Sequence, residues 1–291
     1  MKTLGILRET QNSPNRESDD ALILKAVMDQ LSILKTETAV IAPEEFDLAD
    51  VSAYDMIVPM CETYPRLMRL RKIEAETGII VVNPSDSVLG CYRARMLASF
   101  AATPGLSYPP TEVRRTTADA NAKAPGFEAE GGYWVKRGDV HNTCAYDVVF
   151  SRDWRGVDAI RREFASREIG DMAVQRHVDG DLIKFYGVGP GQWFTWFYHD
   201  PSIARRAPFE LEDLAEQAEL AATAVKVEVF GGDAIVTNEG RIFVIDINSW
   251  PSFARVRAEA SIQIARLLRA RLRRIPVFET GSPRLRHGGI R

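Results

Sequence analysis

The chain has 291 residues, enough for two domains or one large α/β unit, with the 45% hydrophobic and 26% charged content of a soluble globular protein. A formal net charge of −3 supplies no general basic field, so composition argues against nucleic-acid binding. Cys61, Cys91 and Cys144 lie far apart, without CxxC or Cys/His spacing, and read as reduced thiols of a cytoplasmic protein rather than zinc ligands.

A short apolar strand, residues 3–7, runs into charge at Arg8 and Glu9, which is not the pattern of a signal peptide. No apolar run approaches the ~18 residues needed to cross a bilayer, so no membrane partner is expected. Strand signals follow at 38–42, 55–59 and 79–82, and helix signals at 19–34 and 66–77. This alternation predicts a small Rossmann-like layer, but it lacks GxGxxG and so does not point to a dinucleotide. The polar loop from Arg8 to Asp20 lies beyond the carboxyl end of the first strand, where open α/β sheets bind ligands. Arg8, Asn15 and Arg16 are therefore candidate acceptor contacts, a solvated connector being the other reading.

Asn83-Pro84-Ser85 ends this unit and caps a helix over 86–101. A Pro-rich connector at 104–110 leads to strands near 111–114, 133–136, 146–151 and 172–178, with a helix at 154–166. Strands 182–188 and 192–198 flank Gly189-Pro190-Gly191 as a hairpin, and a helix follows at 211–226. A last helix, 254–274, carries Arg255, Arg257, Arg266, Arg269, Arg271, Arg273 and Arg274, read as a solvated face whose late arginines suit the helix dipole. The Gly-, Pro- and Arg-rich end reads as a mobile tail.

Before that last helix, two apolar, β-branched runs flank Thr237-Asn238-Glu239-Gly240, an antiparallel hairpin pattern. Pairing Val236 near Arg241 brings Asp233 close to opposite Asp246, and the strand period of two puts Asp246 and Asn248 on one face. Facing carboxylates are destabilising unless something neutralises them. Mg²⁺ does so, typically held by one or two carboxylates with phosphate oxygens and water, and an Asn carbonyl completes the set. Two solvent-facing Asp residues on an edge hairpin are the alternative.

Lys136 ends an apolar strand beside a glycine-containing loop, a suitable point charge for a phosphate. The crossing at Arg176–Val178 offers backbone groups to an adenine edge, and Asp181 an acceptor to ribose hydroxyls. His177, alone beside a strand end, is more often a bystander than a base. Lys184 enters the next strand, where an unpaired charge is costly unless it meets phosphate or carboxylate. Arg205 and Arg206 sit in a loop and are read either as contacts to an anionic acceptor or transferring charge, or as solvated arginines.

Lys136, Gln175 to Val178, Asp181, Lys184, Asp233 and the tripeptide Asp246-Ile247-Asn248 occur in an order that resembles the ATP-grasp superfamily. The resemblance covers about residues 83–260 plus a pre-grasp N-terminal layer. Asp246-Ile247-Asn248 followed by Pro251, with the strand from Lys184, looks like the inositol trisphosphate 5/6-kinase branch and is also similar to RimK-like ligases. The implied fold class is α+β / α/β, an ATP-grasp fold with an N-terminal Rossmann-like pre-ATP-grasp domain. The implied domains are 1–84, acceptor-side; 85–178, a central lobe with a phosphate-covering lid; 179–278, a C-terminal lobe with the metal site; and 279–291, a basic tail.

The resemblance implies a role for each matching residue. Arg95 and Lys136 would contact ATP phosphates, Arg95 rather than Arg93 fitting the helix position that usually carries Lys. Gln175, Arg176, His177 and Val178 would frame adenine, and Asp181 the ribose. Asp233, Asp246 and Asn248 would hold Mg²⁺, two ions with Mn²⁺ as a substitute; Lys184 and, from their place in the loop rather than from the resemblance, Arg205 and Arg206 are the catalytic candidates. The loop after Lys136 departs from the family, with a single Gly138 and with His141 and Asn142 where a glycine-rich run is usual. The expected activity is a carboxylate–amine ligation through an acyl phosphate, forming ADP and phosphate, on a small and anionic acceptor. A small-molecule kinase and a non-catalytic nucleotide-binding protein remain as alternatives, and the oligomeric state stays open, a homodimer included.

Overall fold

The computed structural model describes residues 1–12, 17–117, 124–127, 129–140 and 144–273. Asn15, Arg16, His141, Asn142, Arg274 and the tail lie outside the described residues. The first unit runs β1 (Lys2–Ile6), α1 (Glu17–Ile33), β2 (Glu37–Ile41), α2 (Pro43–Phe46), β3 (Met56–Pro59), α3 (Tyr64–Thr77) and β4 (Ile80–Val81). Its strands pair in parallel in the order β2-β1-β3-β4. Leu4, Ile6, Met56, Ile57 and Val58 are buried, as parallel strands covered on both faces require. On α1 the buried residues Ile23, Leu24, Val27, Met28 and Leu31 recur at helical spacing and form the stripe that covers the sheet. Gly78 ends α3 in the left-handed conformation, φ 65°, its N–H bonded to the Glu74 carbonyl.

The helix expected over 86–101 is two helices, α4 (Ser85–Gly90) and α5 (Arg93–Ala101), separated at Cys91-Tyr92. Next come β5 (Thr111–Arg115), β6 (Tyr133–Arg137), β7 (Val148–Ser151), α6 (Trp154–Ser166) and β8 (Asp171–Arg176), forming an antiparallel sheet of order β5-β8-β6-β7. Tyr133, Val135, Met172 and Val174 bury one face of that sheet against Val157 and Phe164 of α6.

A third sheet, order β10-β9-β11-β12, holds β9 (Asp181–Val188), β10 (Trp193–Tyr198), β11 (Val229–Val236) and β12 (Ile242–Ser249), with α7 (Leu211–Val225) inserted before β11. Ile183, Phe185, Phe230, Ala234, Val236, Val244 and Ile247 form its apolar face, which packs on α5 and α7. Ala215, Ala218, Ala221 and Ala222 are buried on α7, and their small size lets the helix lie close to the strands. The strand period sends Lys184, Asp233, Asp246 and Asn248 to the opposite face.

The expected last helix is α8 (Arg257–Leu272). It packs with α1, Tyr186, Val188, Val229, Trp250 and Phe253 into a core joining the parallel layer to the third sheet. Its arginines are not simply a solvated face. Arg257 pairs with Asp19 at 2.5 Å, Arg271 with Glu228 at 2.8 Å, and Arg269 donates to the Leu34 carbonyl and to Thr36 Oγ1 at 2.9 Å. Arg266 and Arg273 are exposed, as expected. Among the described residues no helix is long and apolar enough to cross a membrane.

Candidate active site

The site forms where the second and third sheets approach each other. β11 pairs with β12 through Val236↔Ile242, Ala234↔Val244 and then Asp233↔Asp246, with a register shift that leaves Ile245 as an extra residue. Without this bulge Asp233 would face Ile245, and Asp246 would point into the apolar core. The extra residue turns Asp246 to the polar face beside Asp233, a common use of bulges next to functional sites. Gly232 permits the pairing, since a Cβ there would run into the Asp246 carbonyl oxygen and the Phe185 ring.

Cations surround the two carboxylates. Lys184 Nζ, directly across from Asp233 on β9, donates to Asp233 Oδ1 at 2.7 Å. Arg93 places its guanidinium 3.7 Å from Asp246 Oδ2 and donates to the Arg137 carbonyl at 2.5 Å. Lys136, only 7% exposed, donates to Gln175 Oε1 at 2.7 Å. Burial and then the Arg93 charge push the Lys136 ammonium down to about 8, against the opposing pull of Asp246 and Asp233. The Asp233 and Asp246 side chains remain about a quarter and a fifth exposed, so both carboxylates are accessible to solvent. Asn248 lies partly exposed, opposite Gly231 and two positions beyond Asp246 on the same strand.

Arg93, not Arg95, is the guanidinium at this site. Arg93 is 5% exposed, whereas Arg95 is on the exposed face of α5. Arg93 falls in step with the buried residues Met96, Leu97 and Phe100, at i+3, i+4 and i+7. That spacing was the signal for Arg93, and it is present in the sequence whether or not the helix is broken at Cys91-Tyr92.

The nucleoside-side candidates are differently placed from expectation. Gln175 is buried on β8 with its amide engaged at both ends, accepting from Lys136 and donating to Thr111 Oγ1 at 3.1 Å. The Arg176 and His177 N–H groups already donate to the Pro110 and Gly132 carbonyls, both at 2.9 Å. An adenine edge at this crossing would therefore meet carbonyls and Val178, not those two donors. His177 Nδ1 accepts from Trp134 Nε1 at 3.1 Å, with Phe150 edge-on at 5.6 Å, so its ring is part of an aromatic cluster. Asp181 is buried, its two oxygens accepting from the Arg205 N–H at 2.7 Å and the Ala207 N–H at 3.1 Å. Through these bonds it holds the loop that carries Arg205 and Ala207.

Arg205 forms a two-pronged pair with Asp179 at 2.7 and 2.9 Å on the surface, and Arg206 is exposed with φ 58°. Neither is brought to the carboxylate cluster by any described contact. The Arg8 side chain, 8% exposed, bonds to Glu62, to Asp20 at 3.0 Å and to the Trp250 carbonyl at 2.6 Å. It thus joins the end of β1 to the segment leaving the β11–β12 hairpin, where an acceptor contact had been expected.

The donor set fits a hard divalent cation: two partly exposed carboxylates and an amide on one sheet face, all oxygen ligands. Among the described residues no three His, Cys, Asp or Glu side chains converge, so the remaining ligands of such an ion would be phosphate oxygens and water.

No family model and no curated protein matches this sequence. Solved structures do match its fold. The D-alanine–D-alanine ligase from Bacillus anthracis complexed with ATP superposes with a TM-score of 0.71 at 14% identity, over 94% of this chain and 98% of that chain. The VanG D-Ala:D-Ser ligase from Enterococcus faecalis gives 0.66 at 14% identity over 93% and 99%. A RimK domain ATP-grasp protein from Sphaerobacter thermophilus gives 0.63 at 14% identity over 91% and 98%. The chain has the α+β ATP-grasp fold.

Proposed function

We propose that the protein is a Mg-ATP-dependent enzyme that joins a carboxylate to an amine, forming ADP and phosphate through an acyl phosphate. The observation that carries this reading is the bulged pairing that sets Asp233 opposite Asp246, beside Asn248, within reach of Lys136 and Arg93 across the cleft. Asp233, Asp246 and Asn248 would hold the magnesium ions, which when bound supply charge neutralisation and polarisation of phosphate oxygens. Lys136 and Arg93 bind phosphate oxygens from the opposite wall, and Lys184 balances Asp233 and donates to transferring charge. Gln175 fixes the Lys136 ammonium without neutralising it. Positioning and charge stabilisation of this kind account for most of the catalysis in phosphoryl transfer.

The ligase reading takes support from the named ligases that share the fold, an analogy at the level of fold. A kinase reading leans on the Asp246-Ile247-Asn248 form and on Arg205 and Arg206; the surface pairing of Arg205 with Asp179 weakens the second support and leaves the first. The proposed setting is the cytoplasm, a reducing compartment that suits free Cys61, Cys91 and Cys144. The test is ADP release with a panel of candidate acceptors, with and without hydroxylamine. A trapped acyl hydroxamate is expected, while a stable phosphorylated alcohol would establish a kinase. Asp246→Ala is expected to abolish turnover while the melting temperature stays within a few degrees. Undiminished activity of this variant at ordinary magnesium would refute the metal assignment.

A further inference from the structure

A cleft of about 460 Å³, within the size range of small-molecule sites, opens beyond the carboxyl ends of β1 and β3. Gln11, Asn12, Glu62, Tyr64, Tyr92 and Arg137 are among its walls. It adjoins the nucleotide cluster, because Tyr92 precedes Arg93 and Arg137 follows Lys136 in the chain. The N-terminus of α3 also faces it through Thr63, Tyr64 and Pro65. Such a helix end favours an anion, through unpaired N–H groups and the helix dipole.

In this chain that place is filled from within. The Glu9 carboxylate, on a residue 3% exposed, accepts from the Glu62 N–H at 2.9 Å, the Thr63 N–H at 3.2 Å, the Thr63 hydroxyl at 2.7 Å and Arg66 at 3.2 Å. The neighbouring cations are engaged as well. Arg8, behind the wall, is bonded to Glu62 and Asp20. Arg137 pairs with Asp139 at 2.6 and 3.1 Å and lies 3.9 Å from Asp147. Arg66 is held by Asp47 at 2.7 Å besides Glu9. The ion pairs around the cleft set Glu9, Glu62, Asp20, Asp47, Asp139 and Asp147 against Arg8, Arg66, Arg137 and Arg167, an acidic surplus that opposes an entering carboxylate or phosphate. An amide, hydroxyl or ammonium would meet Gln11, Asn12 and the Glu62 wall instead.

We propose that this cleft receives the non-reacting end of the acceptor, that it selects groups without net negative charge, and that Glu9 sets the selectivity by occupying the α3 N-terminus with a carboxylate. The assignment of the reacting end rests on the ATP-grasp reading above; the charge preference rests on the cleft itself. It departs from the anionic acceptor that the sequence led us to expect.

The test uses matched probes on the full chain with magnesium and a non-hydrolysable ATP analogue: glutamine against glutamate, asparagine against aspartate, and 4-aminobutyrate against glutarate. Calorimetry should show the less anionic member of a pair binding at least about tenfold more tightly. Equal or tighter binding of the anionic members, or no binding by any of the six, overturns the proposal. Glu9→Gln keeps the shape but removes the charge, so the preference should narrow to about threefold or less and inorganic phosphate should stabilise the variant but not the parent. Should Glu9→Gln fail to fold, Gln11→Glu, an exposed rim substitution, is expected to widen the preference, and an unchanged ratio would count against the cleft. ADP release with the same probes separates the two claims. Charge-selective binding without ADP release sinks the ligase but leaves the cleft, whereas turnover favouring anionic acceptors sinks the cleft alone.

Discussion

At Lys136, burial makes a single charge costly. Its ammonium is buried, held by a neutral amide, and depressed to about 8 from an ordinary 10.5. Between those values the unfolded chain binds the proton more tightly than the folded one, so this group destabilises the folded state fully below about pH 8 and progressively less as pH rises towards 10.5. Denaturant unfolding across that window should show wild type gaining stability relative to Lys136→Met as pH increases; a flat difference would contradict the burial argument. Added triphosphate restores the charge, and calorimetry in buffers of differing ionisation enthalpy should then detect proton uptake near pH 8. Gly232 is tuned sterically. Gly232→Ala pushes against the Asp246 carbonyl and Phe185, and is expected to cost on the order of 2 kcal/mol and to raise the magnesium requirement, checked by unfolding and by metal titration of turnover.

The elements differ in how far the sequence revealed them. The alternating layer was legible because parallel strands and amphipathic helices leave distinct periods, seen in Leu4 and Ile6 on β1 and in the 23-24-27-28-31 stripe of α1. The β11–β12 hairpin was legible as a hairpin, but the bulge at Ile245 was not, since an apolar β-branched residue gives no local sign that it is unpaired. The break between α4 and α5 did leave a sign, Gly90 at the end of α4, which the reading of one helix over 86–101 passed over. The arginines of α8 were misread because their partners, Asp19, Thr36 and Glu228, are distant in sequence. Arg269→Ala removes bonds to Leu34 and Thr36 and should destabilise the protein by about 1–2 kcal/mol, with nucleotide affinity unchanged. A change in affinity with no loss of stability would show α8 to be more than a brace.

At the scale of the molecule, the apolar core that joins the parallel layer to the third sheet is reinforced by a few buried polar groups. Asn83 is completely buried and uses its whole amide: it donates to the Val229 carbonyl at 2.8 Å and Ser249 Oγ at 2.9 Å, and accepts from the Glu228 and Val229 N–H groups at 2.7 and 3.0 Å. Asn83→Ala should therefore cost on the order of 3 kcal/mol in equilibrium unfolding, and a loss within about 0.5 kcal/mol would mean that water replaces the amide. Trp250 adds a bond from its indole to the Val82 carbonyl at 2.9 Å, and Arg8 grips the Trp250 carbonyl from the end of β1. One guanidinium therefore serves two masters, the Glu62 wall of the cleft and the stretch of chain that emerges from the β11–β12 hairpin. Reshaping the cleft would best begin at the outer rim, with Gln11 or Tyr64, since a change at Arg8 would disturb the chain beyond β12 in the same stroke.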